Sequence, residues 1–541
     1  MKRIISIALC LTMILALAGC GKSSSSKGKT FTFAAELDIN TFDSTLSDDG
    51  MSFNAMHAVT DGLMGLDKDG KIVPAIAESY TLSDDKLTYT YKLRDTKWSN
   101  GDKVQADDFV YAWQRIIQKA GNYAYMMGSD GAAVANADAL MEKQAKGETL
   151  TQADLDTLGI KAVNESTLEV KVERPCSYFD ELMTFPCYYP INRKFAEEKG
   201  DKYAKEANTV LSNGAFILKS WTVQSKAVFE KNPDYWNKDA VKIDKLVMQL
   251  VQDPKTAAVN FDSKNNDFAM INSSLVDKYK DKPEYQTYSE GYLFYLQLNL
   301  NKEVLANANV RKALSLAIDR TDFADNVLKD GSKEASGFVP TGLCINDGTD
   351  FREKASDFTS FDLAKAQEAL DAGLKELGKD SIDIQLLYGT DESPMDQMAT
   401  YLQNAFSKLK GVKIEMVATT KKDRLYNKQK NREFEVALTR WGPDYGDATT
   451  YLNLLLDGNA NNYGDYKSDA YMAKMDEVKK TADTTERFGK MIEAEKIALD
   501  DNAVIPIFEK GSAVLIRSNV KNLVHRPVGV PYTFNYVELG E

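Results

Sequence analysis

Histidine is almost missing from this sequence: His57 and His525 are the only two. No site that needs three imidazoles can be built from them. His57, set among Met56, Ala58 and Val59 on a helix-like stretch, reads as a core or rim residue rather than a ligand. Cysteine is scarce as well. Cys10, Cys20, Cys176, Cys187 and Cys344 cannot form a disulfide scaffold in a chain of 541 residues. Cys176 and Cys187 could pair outside a cell, but spacing in sequence does not give their separation in space, and that pairing stays open. A basic surplus is also lacking. The 67 Lys+Arg stand against 80 Asp+Glu, a formal net charge of −13, which argues against a general nucleic-acid binder. No self-similarity of roughly 20–50 residues marks a solenoid. Beyond the first twenty residues, no apolar run approaches the about 18 residues of a membrane span.

Catalytic signatures fail one by one. Gly65–Ile72 nearly fits a phosphate-binding loop, but Ile72 has no hydroxyl for magnesium and the segment reads as a hairpin. Gly65 stands where a calcium loop needs an acid. Ser83 and Lys86 have a Ser-x-x-Lys spacing, without the partner motifs of penicillin-binding enzymes. Neither His-Glu-x-x-His nor Gly-x-Ser-x-Gly occurs. The reading is of a chain that is not an enzyme, with no metal site and no cofactor.

What is present begins with an address. Lys2-Arg3, the apolar run Ile4–Leu17 and Leu17-Ala18-Gly19-Cys20 have the layout of a secretory signal. The run would span about 21 Å as a helix, too short for a core of about 30 Å. The small residues before Cys20 resemble a bacterial lipoprotein box. That implies cleavage of residues 1–19, lipid on Cys20, and a flexible tether over 20–29. The location expected is the extracellular face of the cell membrane. More than one acyl chain is needed for stable anchoring.

The body, 43% hydrophobic and 27% charged, is ordinary globular sequence. Phe31-Thr32-Phe33 and Leu87–Leu93 alternate as strands do, as do Thr167–Val172, Ala227–Glu230, Lys245–Leu250 and Val412–Val417. Helical spacing predicts helices from Asp107 through Ile117, over Ala132–Lys146, Val310–Arg320, Leu363–Leu377, Pro394–Leu409 and Arg487–Leu499. Helices followed by strands indicate α/β or α+β lobes.

Several segments in order then carry a resemblance. Ala77–Arg94 runs into Lys97-Trp98-Ser99-Asn100-Gly101 and Ala106–Arg115. Ser212-Asn213-Gly214-Ala215-Phe216 leads to Lys231–Asn237, and Asn309–Arg320 and Arg440-Trp441-Gly442-Pro443-Asp444-Tyr445-Gly446-Asp447 follow. Over roughly residues 36–540 the chain resembles the extracellular solute-binding proteins of the peptide/nickel type that serve ABC importers, and among them the oligopeptide binders. The resemblance implies an α/β, two-lobed periplasmic-binding-protein-like type II fold, with an additional domain in lobe I and a hinged ligand cleft. On this map 30–60, 191–292 and 513–541 form lobe I, 61–190 the extra domain, and 293–512 lobe II. It also implies a monomer that passes short peptides to transmembrane permease subunits.

The resemblance places the site. Asp444 matches the acid that pairs with a peptide's α-amino group. Trp441 would wall the cleft, Arg440 and Gly442 would offer main chain to the ligand, and Tyr445 lies beside them. Asp48, Asp49 and Gly50 align with a loop of the opposite lobe, and Tyr295 with an aromatic on the crossing strand. Some relatives bridge the Trp motif to that strand by a disulfide; Gly442 and Tyr292 stand at those places here. Other readings on the same fold are a binder of a nickel chelate, haem or an oligosaccharide, or a peptide-signal receptor.

Overall fold

The computed structural model describes residues 28–392 and 394–540. The signal sequence, Cys20 and most of the tether therefore lie outside the described residues.

The molecule is mixed α/β, and its backbone is one long sheet. Ten strands lie side by side in the order Val412–Thr419, Ile382–Gly389, Val436–Trp441, Tyr285–Leu298, Val504–Ile516, Phe268–Ile271, Thr30–Ala35, Lys245–Leu250, Lys226–Lys231, Phe216–Thr222. A short strand, Lys333–Glu334, also pairs with Val504–Ile516. The central two strands run from one half of the molecule into the other. Tyr285–Ser289 pairs with Gly511–Leu515 in the first half, and Leu293–Gln297 pairs with Val504–Glu509 in the second. The register shifts between Ser289 and Leu293, where Glu290, Gly291 and Tyr292 bulge out of the ladder.

Backbones approach very closely at this crossing. Gly291 has a φ of +71°, and a Cβ on it would lie 2.0 Å from the Pro527 carbonyl oxygen. A Cβ on Gly511 would lie 2.2 Å from the Gly331 carbonyl carbon. Only glycine fits either place. Lys510 and Asp330 pair at 2.6 Å beside them.

The alternation seen in the sequence is a burial pattern. On Thr30–Ala35, Phe31, Phe33 and Ala35 enter the main core of the first half, while Ala34 on the other face packs in a smaller apolar layer with Phe261 and Tyr279. On Tyr285–Leu298, Phe294, Leu296 and Leu298 pack under the helices Ala308–Leu316, Leu363–Leu377 and Met395–Phe406. Leu293 and Tyr295 face the opposite layer, against Phe338, Tyr451 and the helices Asp469–Lys480 and Thr484–Asp500. The second half is thus a sheet between two helical layers.

A separate antiparallel sheet, ordered Ala77–Leu82, Thr88–Leu93, Thr167–Lys171, Ile160–Asn164, lies against the helix Ala106–Gln118. Trp113, Phe109, Ile116 and Ile117 fill the space between them. The near phosphate loop is a hairpin turn, in which Asp67 accepts hydrogen bonds from the Asp69 and Lys71 amides at 2.9 Å.

The helix boundaries differ from the sequence reading by up to three residues at Met395–Phe406 and Thr484–Asp500, and by more at two others. The helix expected over 132–146 is formed only at Ala137–Ala145. Ala133 and Asn136 take positive φ so that Val134 can bridge to Val172. The helix expected to reach Arg320 ends at Leu316. Arg320 is buried and donates to the carbonyls of Pro506, Ser315 and Ile318, and Asp319 caps the turn that follows. Cys176, Cys187 and Cys344 are buried free thiols, so Cys176 and Cys187 are not joined.

Candidate functional site

Beside the crossing, both halves and the segment Asn122–Asp130 line an open-mouthed cavity of about 640 Å³. Its floor is built by the strand Val436–Trp441, whose first four residues are buried and whose last two face the cavity. Ile382–Gly389 pairs with it only at Val436 and Ala437, whereas Tyr285–Leu298 pairs with it through Trp441. One edge of the strand beyond Ala437 is therefore free of strand partners where Arg440 and Trp441 line the cavity.

The chain then turns through Gly442 and Pro443 and presents Asp444. The partly buried carboxylate accepts a hydrogen bond from the Tyr125 hydroxyl, 319 residues away in sequence. No cation among the described residues pairs with it. Burial pushes its pKa up to about 6, and the Tyr125 hydrogen bond only partly offsets that. Burial and the nearby Asp444 push the Tyr125 phenol well up in turn, so it remains the donor. Tyr123, Phe53 and Phe185 form an aromatic cluster behind Tyr125, with Phe53 set edge-on to Tyr123 at 5.3 Å.

Arg440 lies with its guanidinium 4.8 Å over the Tyr292 ring and its Nε 3.6 Å from Glu392. Glu392 is tied more closely to the buried Arg424, at 2.7 Å. Arg424 also donates to Gln429 and Thr439. Lys421 lines the same cavity without an ion pair among the described residues. Burial and its neighbour Arg440 lower its pKa. The Trp441 indole N–H is buried without a partner, while the Trp441 carbonyl accepts from Tyr451 at 3.0 Å. Gly442 has a positional reason: a Cβ there would lie 2.3 Å from the ring of Tyr292, which occupies the site of the bridge expected in some relatives.

Of the residues singled out in the sequence, Asp48, Gly50, Arg440, Trp441, Gly442, Asp444 and Tyr445 line this one cavity. Asp48 accepts from Asn122 at 2.8 Å. Asp49 and Tyr295 do not line it. Asp49 caps the helix Gly50–Val59, accepting from the Ser52 amide at 2.8 Å and from Asn40 at 3.0 Å. Tyr295 is buried edge-on to Phe338 at 5.2 Å, because helical layers cover both faces of its strand there. Tyr445 joins the two sides: its ring stacks on Tyr178 at 4.5 Å, and its hydroxyl donates to the Asp130 carbonyl at 3.1 Å. Sequence reasoning missed Tyr123, Tyr125, Tyr292, Lys421 and Arg424. Tyr123 and Tyr125 sit in a short turn with no periodicity, and only the fold brings them to Asp444.

Neither histidine lines this cavity. His57 lies between the Tyr189 and Thr533 hydroxyls, at 2.6 and 3.1 Å, and burial lowers its pKa to about 4. His525 stacks on Tyr288 at 4.3 Å and is lowered likewise. Among the described residues, no group of three or more His, Cys, Asp and Glu side chains could hold a metal ion.

Comparison with known proteins follows the same geometry. The sequence model of the bacterial extracellular solute-binding proteins, family 5 (middle region), matches residues 71–463. The dipeptide-binding protein DppE of Bacillus subtilis is 30% identical over 493 residues, covering 90% of this chain and 88% of its own. A dipeptide-binding protein of Lactococcus lactis subsp. cremoris is 31% identical over 522 residues, covering 92% of each. The structure of Listeria monocytogenes OppA bound to peptide superposes with a TM-score of 0.78 and 34% identity, over 95% of this chain and 100% of that one.

The Asp444 shift has a stability consequence. A carboxyl that holds its proton more tightly folded than unfolded contributes stability below about pH 4, lost as the pH rises through about 6. Asp444→Asn removes that loss and keeps an acceptor for Tyr125. In the ligand-free chain its melting midpoint at pH 7.5 should exceed the wild type's by about 1–2 °C. The gap should close toward pH 4. Scanning calorimetry checks this, and an equal or lower midpoint at pH 7.5 contradicts it.

Proposed function

The chain belongs to the bacterial extracellular solute-binding proteins of family 5, and we propose that it captures short peptides between its two halves and delivers them to the permease of an ABC importer. Asp444 carries this reading. A peptide offers an α-ammonium whatever its sequence, and a carboxylate without a cation partner among the described residues of the cleft is the group that recognises it. A charge-assisted hydrogen bond there contributes about 1.5–3 kcal/mol. The Tyr125 hydroxyl already donates to this carboxylate and would be joined or displaced by the ammonium.

The remaining features serve the parts of a peptide common to all sequences. The free strand edge beside Arg440 and Trp441 can pair with an extended ligand backbone. The unpartnered Trp441 N–H is a further donor to a carbonyl. Lys421, and Arg440 with its loose hold on Glu392, offer cations to a ligand carboxylate. The aromatic walls formed by Tyr123, Tyr292 and Trp441 give contact area without demanding one side-chain chemistry. The assembly binds without turnover, as a monomer, with Asp49 and Tyr295 acting as supports. We assign residues 30–60, 191–292 and 513–541 to lobe I, 61–190 to the extra domain and 293–512 to lobe II.

Titration calorimetry at pH 7.5 with a mixture of short peptides and with the N-acetylated mixture tests the anchor. Acetylation should weaken binding at least about tenfold in the wild type, and Asp444→Ala should bind both mixtures equally weakly. Equal affinity for both mixtures in the wild type contradicts the role of Asp444. Because Asp444 must be ionised to receive an ammonium, affinity should also fall below about pH 6. Co-purified haem, oligosaccharide or nickel chelate in native mass spectrometry would favour another solute.

The lipid anchor at Cys20 belongs to the same proposal. Cys20→Ala should move the chain from the membrane fraction to the soluble one. Retention in the membrane fraction would refute the anchor.

A further inference from the structure

Behind the peptide cleft lies a second, smaller cavity of about 250 Å³. One wall comes from the strand Ala77–Leu82, the turn after it and residues 174–180. The other comes from residues 449–453 and from 478–487, where the helix Asp469–Lys480 ends and the helix Thr484–Asp500 begins. The cavity adjoins the cleft: Thr449 and Asn453 line both, and the stacked rings of Tyr178, which lines this cavity, and Tyr445, which lines the cleft, form part of the partition.

Its lining is divided by chemistry. Tyr80, Tyr89 and Phe179 form an aromatic side, with Tyr89 stacked on Phe179 at 4.1 Å. Lys86, Arg174 and Lys479 supply cations, and none of the three forms an ion pair among the described residues. The Arg174 guanidinium donates only to the Ser129 carbonyl at 2.8 Å and the Tyr178 hydroxyl at 3.4 Å. A fourth cation, Arg487, is satisfied by two contacts with Asp447, at 2.5 and 2.9 Å. The acid facing the cavity is Asp180, which accepts from Tyr80 at 2.6 Å and has its other oxygen buried without a partner. Asp130, outside the lining, draws on Lys479 and Arg174 without pairing with either. In a chain with 80 acids against 67 bases, this cavity carries a local surplus of positive charge beside an aromatic wall.

We propose that this cavity is a binding site for a small aromatic carboxylate, separate from the peptide cleft. The ring would lie against Tyr89 and Phe179, and the carboxylate would take the free donors of Arg174 and Lys479. The volume, just below the about 300 Å³ where small-molecule sites usually begin, suits one ring and one short acid arm. Because its walls come from two different parts of the fold, a ligand here favours the arrangement that brings them together. By reciprocity, peptide in the cleft would strengthen binding here.

The probe is phenylacetate, titrated calorimetrically into the mature chain without peptide, with neutral phenylacetamide as the matched control. Saturable binding of phenylacetate is expected, at least about tenfold tighter than that of the amide. Arg174→Gln should weaken it about tenfold or more, with an unchanged melting midpoint. Lys479→Gln, at an exposed helix end, gives the same test where Arg174→Gln fails to fold. A saturating peptide mixture should tighten phenylacetate binding and not displace it. Absence of saturable binding, equal binding of acid and amide, or unweakened binding by the charge variants would overturn the proposal. Displacement by peptide would do so too, by placing the probe in the cleft. Since the titration needs no peptide, its failure leaves the peptide reading untouched.

Discussion

A carboxylate drawn out of bulk water, with a single phenol for company, sets the terms for the rest of this molecule. Asp444 could have been paired with a cation and made a structural element, as Asp447 is by Arg487. Instead burial works against its charge, and the one partner supplied is the neutral Tyr125. A site that leaves a charge under-satisfied favours the ligand that completes it. The cost is held in check by the surroundings: aromatic rings close the space around Tyr125, and the chain turn at Gly442-Pro443 fixes where the acid points.

That arrangement exists only while the parts of the fold stay together. Tyr445 stacks on Tyr178, and the Gly446 amide donates to Glu181 at 2.9 Å. Glu181 is held in turn by Arg526 at 2.7 Å. These contacts gather segments more than 250 residues apart around residues 444–446. The two long strands that link the halves supply the frame. The bulge at residues 290–292 turns Tyr292 onto Gly442, and the glycines at the crossing allow the backbones around residues 291, 331, 511 and 527 to approach closely. Ligand chemistry and shape change would thus be coupled through one short segment after the strand Val436–Trp441.

Much of this was legible in the sequence, in the places where local pattern decides structure. The helix Leu363–Leu377 has the boundaries its spacing predicts, and the strands at Lys245–Leu250 and Val412–Thr419 stand where alternation puts them. The segment Arg440–Tyr445 was legible through its resemblance to the family motif, and it does line the cleft. What was not legible depends on long-range packing. Asp49 reads as a loop acid but is used as a helix cap, a role that only the position of Ser52 and Asn40 reveals. Tyr295 faces the core because its strand is covered on both faces, so alternation alone gives it no solvent side. Tyr125 and Lys421 carry no pattern of their own; Tyr125 reaches the cleft through a pairing 319 residues away, and Lys421 through a loop in which its amide donates to Asp391.

The most direct measurement is the titration of the Asp444 carboxyl itself, by 13C NMR of carboxyl-labelled aspartate with the signal assigned through Asp444→Asn. The account predicts a midpoint near pH 6 in the empty chain. With a saturating short peptide, its ammonium against the carboxylate should bring the midpoint below about 4. A midpoint that stays near 6 with peptide bound, or rises, would mean that the ligand's ammonium does not meet Asp444.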